Sequence, residues 1–113
     1  ITKAMNQANV AIEEVDYINA HGTGTQMNDL SETQAIHAAF GRHAKELAIS
    51  STKSMHGHVL GASSALELIS SVYTINHSCI PPTANYTEAD EDCDLDYVPN
   101  VARRQPVDVV VSN

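Results

Sequence analysis

The sequence has few cysteines, few basic residues and no long apolar run, and each shortage excludes a class of protein. The two cysteines, Cys79 and Cys93, cannot form a disulfide framework and lack zinc-site spacing. Six Lys and Arg against fourteen Asp and Glu, a net charge of −8, argue against binding to nucleic acid or an anionic membrane. No stretch approaches the ~20 apolar residues of a membrane helix, and no leader pattern is visible. We therefore expect a reduced, cytoplasmic protein.

The length and composition allow one hydrophobic core. The chain has 113 residues, of which 42% are apolar. Much of its acidity is local, because six carboxylates lie between positions 87 and 96. This stretch fails as a calcium loop starting at Asp90, since Leu95 and Val101 occupy the positions that need Gly and Glu. It is interpreted as a solvated loop.

Hydrophobic periodicity predicts an alternation of helices and strands. Helices are expected over 1–8, 29–40 and 58–76, and strands over Val15–Asn19, Leu47–Ser51 and Val107–Ser112. Asn9 is a candidate left-handed cap, and Asp29 with Glu32 resembles a capping box. The pattern predicts a layered α/β fold whose three strands are neighbours in one sheet.

Both ends of the sequence suggest a segment of a longer chain. It begins at Ile1 within a helical pattern, and it closes on a β-branched strand that no loop follows. A terminal core strand of this kind is unusual in a complete domain.

The predicted helix over 58–76 is apolar around most of its circumference, which is typical of a buried helix. Glu67, in its middle, must find a partner if it is buried. It lies either on a wet stripe of serines or inside the protein beside a hydrogen-bond donor or a cation. His58 stands at the start of this helix, where the dipole favours a neutral ring that can donate a hydrogen bond to an oxyanion.

Polar residues follow the predicted strands at matching ends. His21 follows the first strand and Lys53 the second, and His58 lies shortly after. Because sites in open α/β sheets form at the carboxyl ends of parallel strands, these three residues are predicted to share a site. Other chemistries fail on spacing. Gly22-Thr-Gly24 lacks the third glycine of a dinucleotide-binding motif. His56 and His58 could form a metal-binding pair, but no nearby residue has the spacing of a further zinc ligand. Neither cysteine has a base beside it that would make it a nucleophile.

Three motifs resemble the β-ketoacyl-acyl-carrier-protein synthases, condensing enzymes of the thiolase fold. They are Asn19-Ala-His21-Gly-Thr-Gly-Thr25, Ser51-Thr-Lys53-Ser-Met-His-Gly57-His58-Val-Leu-Gly61-Ala62 and Val111-Ser112-Asn113. Ile80-Pro-Pro-Thr83 and Cys93-Asp-Leu-Asp-Tyr-Val-Pro99 further resemble the discrete KAS II (FabF-like) enzymes. The resemblance implies an α/β, thiolase-like fold, in which residues 1–113 form a partial C-terminal β-ketoacyl synthase domain, truncated at both ends, of a five-layer α-β-α-β-α body.

The resemblance also implies a reaction and its site residues. Malonyl carrier protein would undergo decarboxylative Claisen condensation with an acyl-enzyme thioester in fatty acid elongation. His21 and His58 match the catalytic histidines that hydrogen-bond the malonyl thioester. Lys53 matches the motif lysine, and Glu32 matches its expected acidic partner.

Further positions match binding residues of the family. Thr23 and Thr25 correspond to contacts of the phosphopantetheine arm. Asn19, Glu67, Ser112 and Asn113 correspond to residues that surround a cation or a water in some members. The implied partners are acyl carrier protein, malonyl and acyl thioesters and a second copy of the protein, with no nucleic acid or membrane. No cofactor and no catalytic metal are expected, apart from a structural monovalent cation.

Three alternatives remain open from the sequence. A polyketide synthase ketosynthase would change the substrate but not the chemistry. A chain-length-factor-like subunit would share the fold without activity. A small acidic α/β interaction domain would be unrelated. The nucleophilic cysteine of the family belongs to a half that these residues do not match, so the isolated chain is predicted to be inactive.

Overall fold

The computed structural model describes residues 1–113 as four α-helices and two small sheets. The helices are α1 Thr2–Ala8, α2 Gln26–Phe40, α3 Lys53–His56 and α4 Ser63–His77. The strands are β1 Tyr17–Asn19, β2 Ala48–Ser50, β3 Cys79–Ile80, β4 Arg103–Arg104 and β5 Val110–Ser112. Single 3-10 turns lie at Ile12–Glu14, Gly41–Lys45 and Leu60–Ala62. No helix has both the length and the apolar character needed to cross a membrane.

The main sheet has the strand order β2-β1-β5, and both pairings are parallel. The predicted adjacency of these three strands is confirmed, although each strand is shorter than its apolar run. Asn19 lies opposite Ser50 on one side and Ser112 on the other. Because parallel strands end at the same edge of a sheet, the residues that follow β1 and β2 emerge side by side.

One face of the sheet packs against α1 and α2. Ile18 and Ile49 point to this side, where Ile36 and Phe40 of α2 cover them. The nine buried residues of this cluster are Met5, Val15, Ile18, Ala20, Ile36, Phe40, Ala44, Leu47 and Ile49. The opposite face holds a smaller cluster of Tyr17, Ala48, Ile80, Val98 and Val107. Its largest member, Tyr17, is fully buried and shares a hydrogen bond of 2.8 Å with Ser50 Oγ.

Helix α4 lies on the second face with its polar side inward. The residues it buries are Ser63, Glu67, Ser71 and Thr74, while Leu68 and Ile69 are more than half exposed. Within residues 1–113 only the polar side of this helix is buried, and burial of its apolar side stays a prediction. Small hydroxyl side chains let the helix approach the sheet, and they satisfy their own hydrogen bonds, as Ser71 Oγ does with the Glu67 carbonyl oxygen at 2.8 Å.

Two predicted helix starts are also corrected. Helix α2 begins at Gln26, because Thr25 Oγ1 accepts the Asn28 N–H at 3.3 Å and acts as the N-cap in place of Asp29. Helix α4 begins at Ser63, after the 3-10 turn, so His58 precedes the helix instead of opening it. The first helix matches its prediction, and Asn9 ends it with a left-handed φ of 55°.

Candidate active site

The loop that carries His21 is fixed by a carboxylate from the neighbouring helix. Glu32, on α2, accepts hydrogen bonds from the backbone N–H groups of His21 at 2.8 Å and Gly22 at 2.9 Å. The amides of Asn28 and Asn113 donate to the same carboxylate at 3.1 and 2.9 Å. Glu32 thus joins the strand ends of β1 and β5 to α2.

The charge of Glu32 is favoured by these contacts. Burial alone would raise the pKa of Glu32, but the hydrogen bonds from Gly22, Asn113, His21 and Asn28 outweigh it and hold the pKa below its usual value. The carboxylate therefore stays ionised at neutral pH. Its position beside backbone donors leaves no role as the partner of Lys53, so the predicted Lys53–Glu32 pair is wrong.

Gly22 lets the His21 loop pass close to the end of β2. Its φ is +43°, in the left-handed region, and a Cβ at this position would lie 2.3 Å from Ser51 Cβ. Only glycine meets both conditions. The close approach places His21 beside the segment that leads to Lys53 and His58.

His21 and His58 face each other. Their ring centroids lie 5.9 Å apart, and the rings are nearly perpendicular, with an interplanar angle of 87°. Both residues are exposed to solvent in this chain. The two histidines that the sequence analysis grouped are therefore brought to one place, at the carboxyl edge of the sheet.

The hydrogen bonds of His58 define which ring nitrogen carries the proton. The Leu60 N–H donates to His58 Nδ1 at 3.2 Å, so Nδ1 is an acceptor. Ser63 Oγ lies 3.1 Å from the same nitrogen and must donate to it. In the neutral ring the proton then sits on Nε2, which is a hydrogen-bond donor. The helix dipole invoked from the sequence is not the cause, because α4 starts only at Ser63.

Lys53 forms a buried ion pair with Glu67. The Lys53 ammonium donates to the Glu67 carboxylate, and their side chains are only 4% and 5% exposed. Lys53 opens α3, directly before the His58 loop, and Glu67 projects from α4. The wet-stripe interpretation of Glu67 is wrong, and the interpretation of an internal, partnered carboxylate is confirmed.

The cation or water site predicted around Glu67 stays a prediction, and the structure shows the protein contacts of its residues. The Glu67 carboxylate accepts a hydrogen bond from the Lys53 ammonium, and the Asn113 amide donates to Glu32. Asn19 is fully buried, and its amide nitrogen lies 3.5 Å from both Thr52 Oγ1 and the Glu67 carbonyl oxygen. Ser112 pairs with Asn19 across the sheet.

A cavity of about 660 Å³ lies beside His58. Its lining includes Gly22, Thr23, Ser51, Lys53 and His58, whereas His21 is not among the lining residues. Of the two threonines matched to the pantetheine arm, Thr23 lines this cavity and Thr25 caps α2. Nine further lining residues lie between positions 83 and 97.

Ser63 and Tyr97 contribute to the site without having been predicted. Ser63 hydrogen-bonds His58. In the sequence, the only indication of this residue was that it is small and polar and lies within a run of small residues. The Tyr97 hydroxyl shares a hydrogen bond of 2.6 Å with Thr33 Oγ1 and so links two lining residues of the cavity, one of them on α2. Burial raises the pKa of Tyr97 to about 12, which keeps this hydroxyl protonated.

Comparison with solved structures shows that the chain has a thiolase-like α/β fold. Solved ketosynthases share this fold. The ishigamide ketosynthase/chain length factor superposes with a TM-score of 0.91 at 45% identity, over 96% of this chain and 27% of that one. A β-ketoacyl synthase from Burkholderia phymatum gives 0.89 at 39% identity, over 97% of this chain and 26% of that one.

The chain belongs to the β-ketoacyl synthase family, because the family described as "Beta-ketoacyl synthase, C-terminal domain" matches residues 1–87. Nodulation protein E of Rhizobium sp. (strain N33) is 59% identical over 94% of this chain and 26% of that protein. The 3-oxoacyl-[acyl-carrier-protein] synthase 2 of Coxiella burnetii is 54% identical over 97% of this chain and 27% of that protein. The tetracenomycin polyketide synthase ketoacyl synthase alpha subunit of Streptomyces glaucescens is 54% identical over 99% of this chain and 26% of that protein. The chain thus spans about a quarter of the length of these relatives.

Proposed function

We propose that this chain supplies the histidine pair of a ketosynthase that performs decarboxylative Claisen condensation. In this reaction malonyl carrier protein loses carbon dioxide and leaves an enolate. The enolate carbon attacks an acyl thioester held on a cysteine, a carbon–carbon bond forms, and the cysteine leaves as a thiolate. The observation that supports the proposal best is the approach of His21 and His58 to 5.9 Å at the carboxyl edge of the sheet.

The histidines are proposed to stabilise the enolate as hydrogen-bond donors. His58 Nδ1 is occupied by the Leu60 N–H, so Nε2–H is the group available to a developing oxyanion. His21 contributes the second donor from the loop that follows β1, at the same edge of the sheet. A thioester carbonyl between the two rings would receive both hydrogen bonds as negative charge moves onto its oxygen.

Lys53, Glu67 and Glu32 are proposed to position these donors. The Lys53–Glu67 pair fixes α3 against α4, and the His58 loop lies between these helices. Glu32 fixes the backbone of His21. On this view Lys53 organises the site and does not remove a proton from the substrate.

The reaction also needs a nucleophilic thiolate, which we place outside these residues. Cys79 lies in β3 and Cys93 in the acidic loop, and neither has a basic partner. We propose that residues 1–113 act as part of a longer synthase, consistent with their quarter share of the relatives' length. The chain alone is then expected to have no condensing activity.

Fatty acid elongation is the proposed pathway, supported by 54% identity to the Coxiella burnetii synthase. Polyketide synthesis is the second candidate, since the tetracenomycin subunit is also 54% identical. Acyl carrier protein is the proposed partner, as a related structure is described as an acyl carrier protein in complex with its ketosynthase. The protein is further proposed to be a cytoplasmic homodimer. A chain-length-factor-like subunit would lack activity in the test below.

The test uses the complete protein that contains this chain, with His21→Ala and His58→Ala variants. Each loses one donor to the enolate oxygen, which typically costs ~3 kcal/mol of barrier, or about a hundredfold in rate. Release of carbon dioxide from malonyl carrier protein should fall by about this factor, whereas acyl transfer to the cysteine should stay close to wild type.

His56→Ala is the matched control, because His56 is an exposed histidine on α3 next to the same loop. Its decarboxylation rate should equal that of the wild type. Undiminished carbon dioxide release in the His21 and His58 variants would refute the proposal. Comparing long saturated acyl primers with poly-β-keto primers would distinguish the two pathways.

A further inference from the structure

Residues 81–84, called the 81–84 segment below, lie beside the carboxyl end of β2 and are held there by hydrogen bonds. Ser50 Oγ, on the last residue of β2, donates to the Pro81 carbonyl oxygen at 2.6 Å. The Thr83 N–H donates to the Val98 carbonyl oxygen at 2.9 Å. The 81–84 segment is therefore a fixed support for any element that bonds to it.

Ser54 joins α3 to this segment. It is half-buried on α3, directly after Lys53. Its hydroxyl donates to the Ser51 carbonyl oxygen at 2.7 Å and accepts the Ala84 N–H at 2.9 Å. Ser54 also lines the cavity beside His58. Since a serine hydroxyl has one proton and that proton is already donated, Ser54 has none to offer to a substrate.

Helix α3 needs anchors because its four residues form a single turn, which is too short to be stable alone. The Lys53 ammonium ties it to Glu67 of α4. The Ser54 hydroxyl ties it to Ala84. Consecutive residues of a helix point roughly 100° apart, so the two bonds hold α3 in different directions. One bond alone would leave α3 free to turn about it, whereas two bonds set its orientation.

The orientation of α3 is passed on to His58 through a short connection. The Gly57 N–H donates to the Lys53 carbonyl oxygen at 2.8 Å and closes the turn, and His58 is the next residue. In the function proposed above, the His58 ring must reach the same substrate oxygen as His21. A displacement of about 1 Å at a catalytic group can reduce the rate on the order of a hundredfold.

We propose that Ser54 is a positioning residue for His58, because its hydroxyl fixes α3 to the 81–84 segment and so keeps His58 in place opposite His21. The proposal rests on the ketosynthase function proposed above and gives α3 a second anchor. Ser54 acts through α3 and not by contact with the substrate. Its loss should therefore lower the rate of malonyl decarboxylation and leave substrate binding unchanged.

The first test removes the hydroxyl in the complete protein. In Ser54→Ala, kcat for malonyl decarboxylation should fall about tenfold, while KM for malonyl carrier protein and the rate of acyl transfer to the cysteine each stay within about twofold of wild type. Ser54→Thr keeps a hydroxyl at this half-buried position and should recover most of kcat. A rise in KM at unchanged kcat would make Ser54 a substrate-binding group and overturn the proposal.

The second test breaks the same hydrogen bond from its other end. Asn85 has a φ of 62° and Ala84 a negative φ, and both lie in a turn, so the backbone at position 84 is compatible with proline. Ala84→Pro deletes the N–H that Ser54 accepts, and it should lower kcat for decarboxylation at least about threefold. The double variant Ser54→Ala/Ala84→Pro should be about as slow as the slower single variant, because one bond can be lost only once. Losses that multiply would show that the two residues act separately and would overturn the proposal.

Thr74→Val is the matched control, because Thr74 Oγ1 also donates to a backbone carbonyl oxygen, that of Ser70 at 3.0 Å, but has no hydrogen bond to α3. Its ratio of decarboxylation to acyl transfer should equal that of wild type. The proposal is overturned if Ser54→Ala keeps the wild-type kcat, or if Thr74→Val lowers this ratio as much as Ser54→Ala does. His58→Ala in the same assay separates the two proposals. An impaired His58→Ala beside an unimpaired Ser54→Ala refutes only the role of Ser54, whereas an unimpaired His58→Ala refutes the function and the role of Ser54 together.

Discussion

Lys53 and Glu67 form an ion pair that is almost completely buried, with side chains 4% and 5% exposed. The pair links α3, which precedes the His58 loop, to α4, which follows it. It also explains how α4 can turn a charged residue toward the sheet. A buried carboxylate is tolerated there because an ammonium group neutralises it.

Breaking this pair should destabilise the protein strongly. Glu67→Gln leaves the Lys53 ammonium buried without a counter-charge, which costs ~3–5 kcal/mol in comparable sites. The free energy of unfolding from urea titration measures this loss. The double variant Lys53→Met/Glu67→Gln should recover part of it, because no unpaired charge remains.

Glu46→Gln serves as the control, since Glu46 makes only an exposed contact with His43. Its effect should stay within ~0.5 kcal/mol. A Glu67→Gln variant as stable as the Glu46→Gln variant would show that the pair does not support the fold.

The hydrogen bonds of Glu32 should make the protein sensitive to acid. The folded-state pKa of Glu32 is lowered, so its contribution is fully present above the unfolded value of ~4.3 and is lost as the pH falls through the folded value. Urea midpoints measured from pH 7 to pH 3 should therefore drop less steeply below ~4.3 in Glu32→Gln than in the wild type. Asp29→Asn, on the same helix, should retain the wild-type slope; equal slopes in all three proteins would contradict the assignment.

Replacing Gly22 should move the His21 loop. In Gly22→Ala the new Cβ would start 2.3 Å from Ser51 Cβ, at a φ that disfavours any side chain. We expect a loss of ~2 kcal/mol or more in unfolding free energy. Gly24→Ala shares the positive φ, but open space surrounds that position, so its loss should be limited to ~1 kcal/mol. Similar losses in both variants would mean that the contact with Ser51 relaxes freely.

Ser63 should hold the tautomer of His58. Ser63→Ala removes one of the two donors to Nδ1 and leaves the Leu60 N–H. The fraction of ring protonated at Nε2, read from the ¹⁵N chemical shifts of His58, should decrease, and malonyl decarboxylation should fall about fivefold for a lost hydrogen bond of ~1 kcal/mol. Ser64→Ala, at the exposed next position, should change neither quantity. Unaltered ¹⁵N shifts in Ser63→Ala would remove Ser63 from the site.

Much of the site was predictable because its residues stand next to strand ends. The β-branched runs that contain Ile18, Ile49 and Val111 indicate buried strands, and parallel pairing then brings His21 and Lys53 to one edge. The pairing of carboxylates was not predictable in this way. The sequence favoured Glu32 as the partner of Lys53, and only the placement of α2 and α4 on opposite faces of the sheet puts Glu67 there instead.

The sequence by itself determined that the three strands share one sheet, that the histidines follow strand ends and that the chain belongs to the β-ketoacyl synthase family, because local pattern and motif spacing suffice for these. The tertiary structure decided which groups these side chains contact. It assigned Glu67 to Lys53, Glu32 to the backbone of His21, and Ser63 to His58. It also decided which side of α4 faces inward. The side with the hydroxyl groups can approach the sheet closely and brings Glu67 beside Lys53. With the apolar side inward, Glu67 would not lie beside Lys53. Such choices depend on contacts between residues far apart in the chain, which sequence periodicity does not encode.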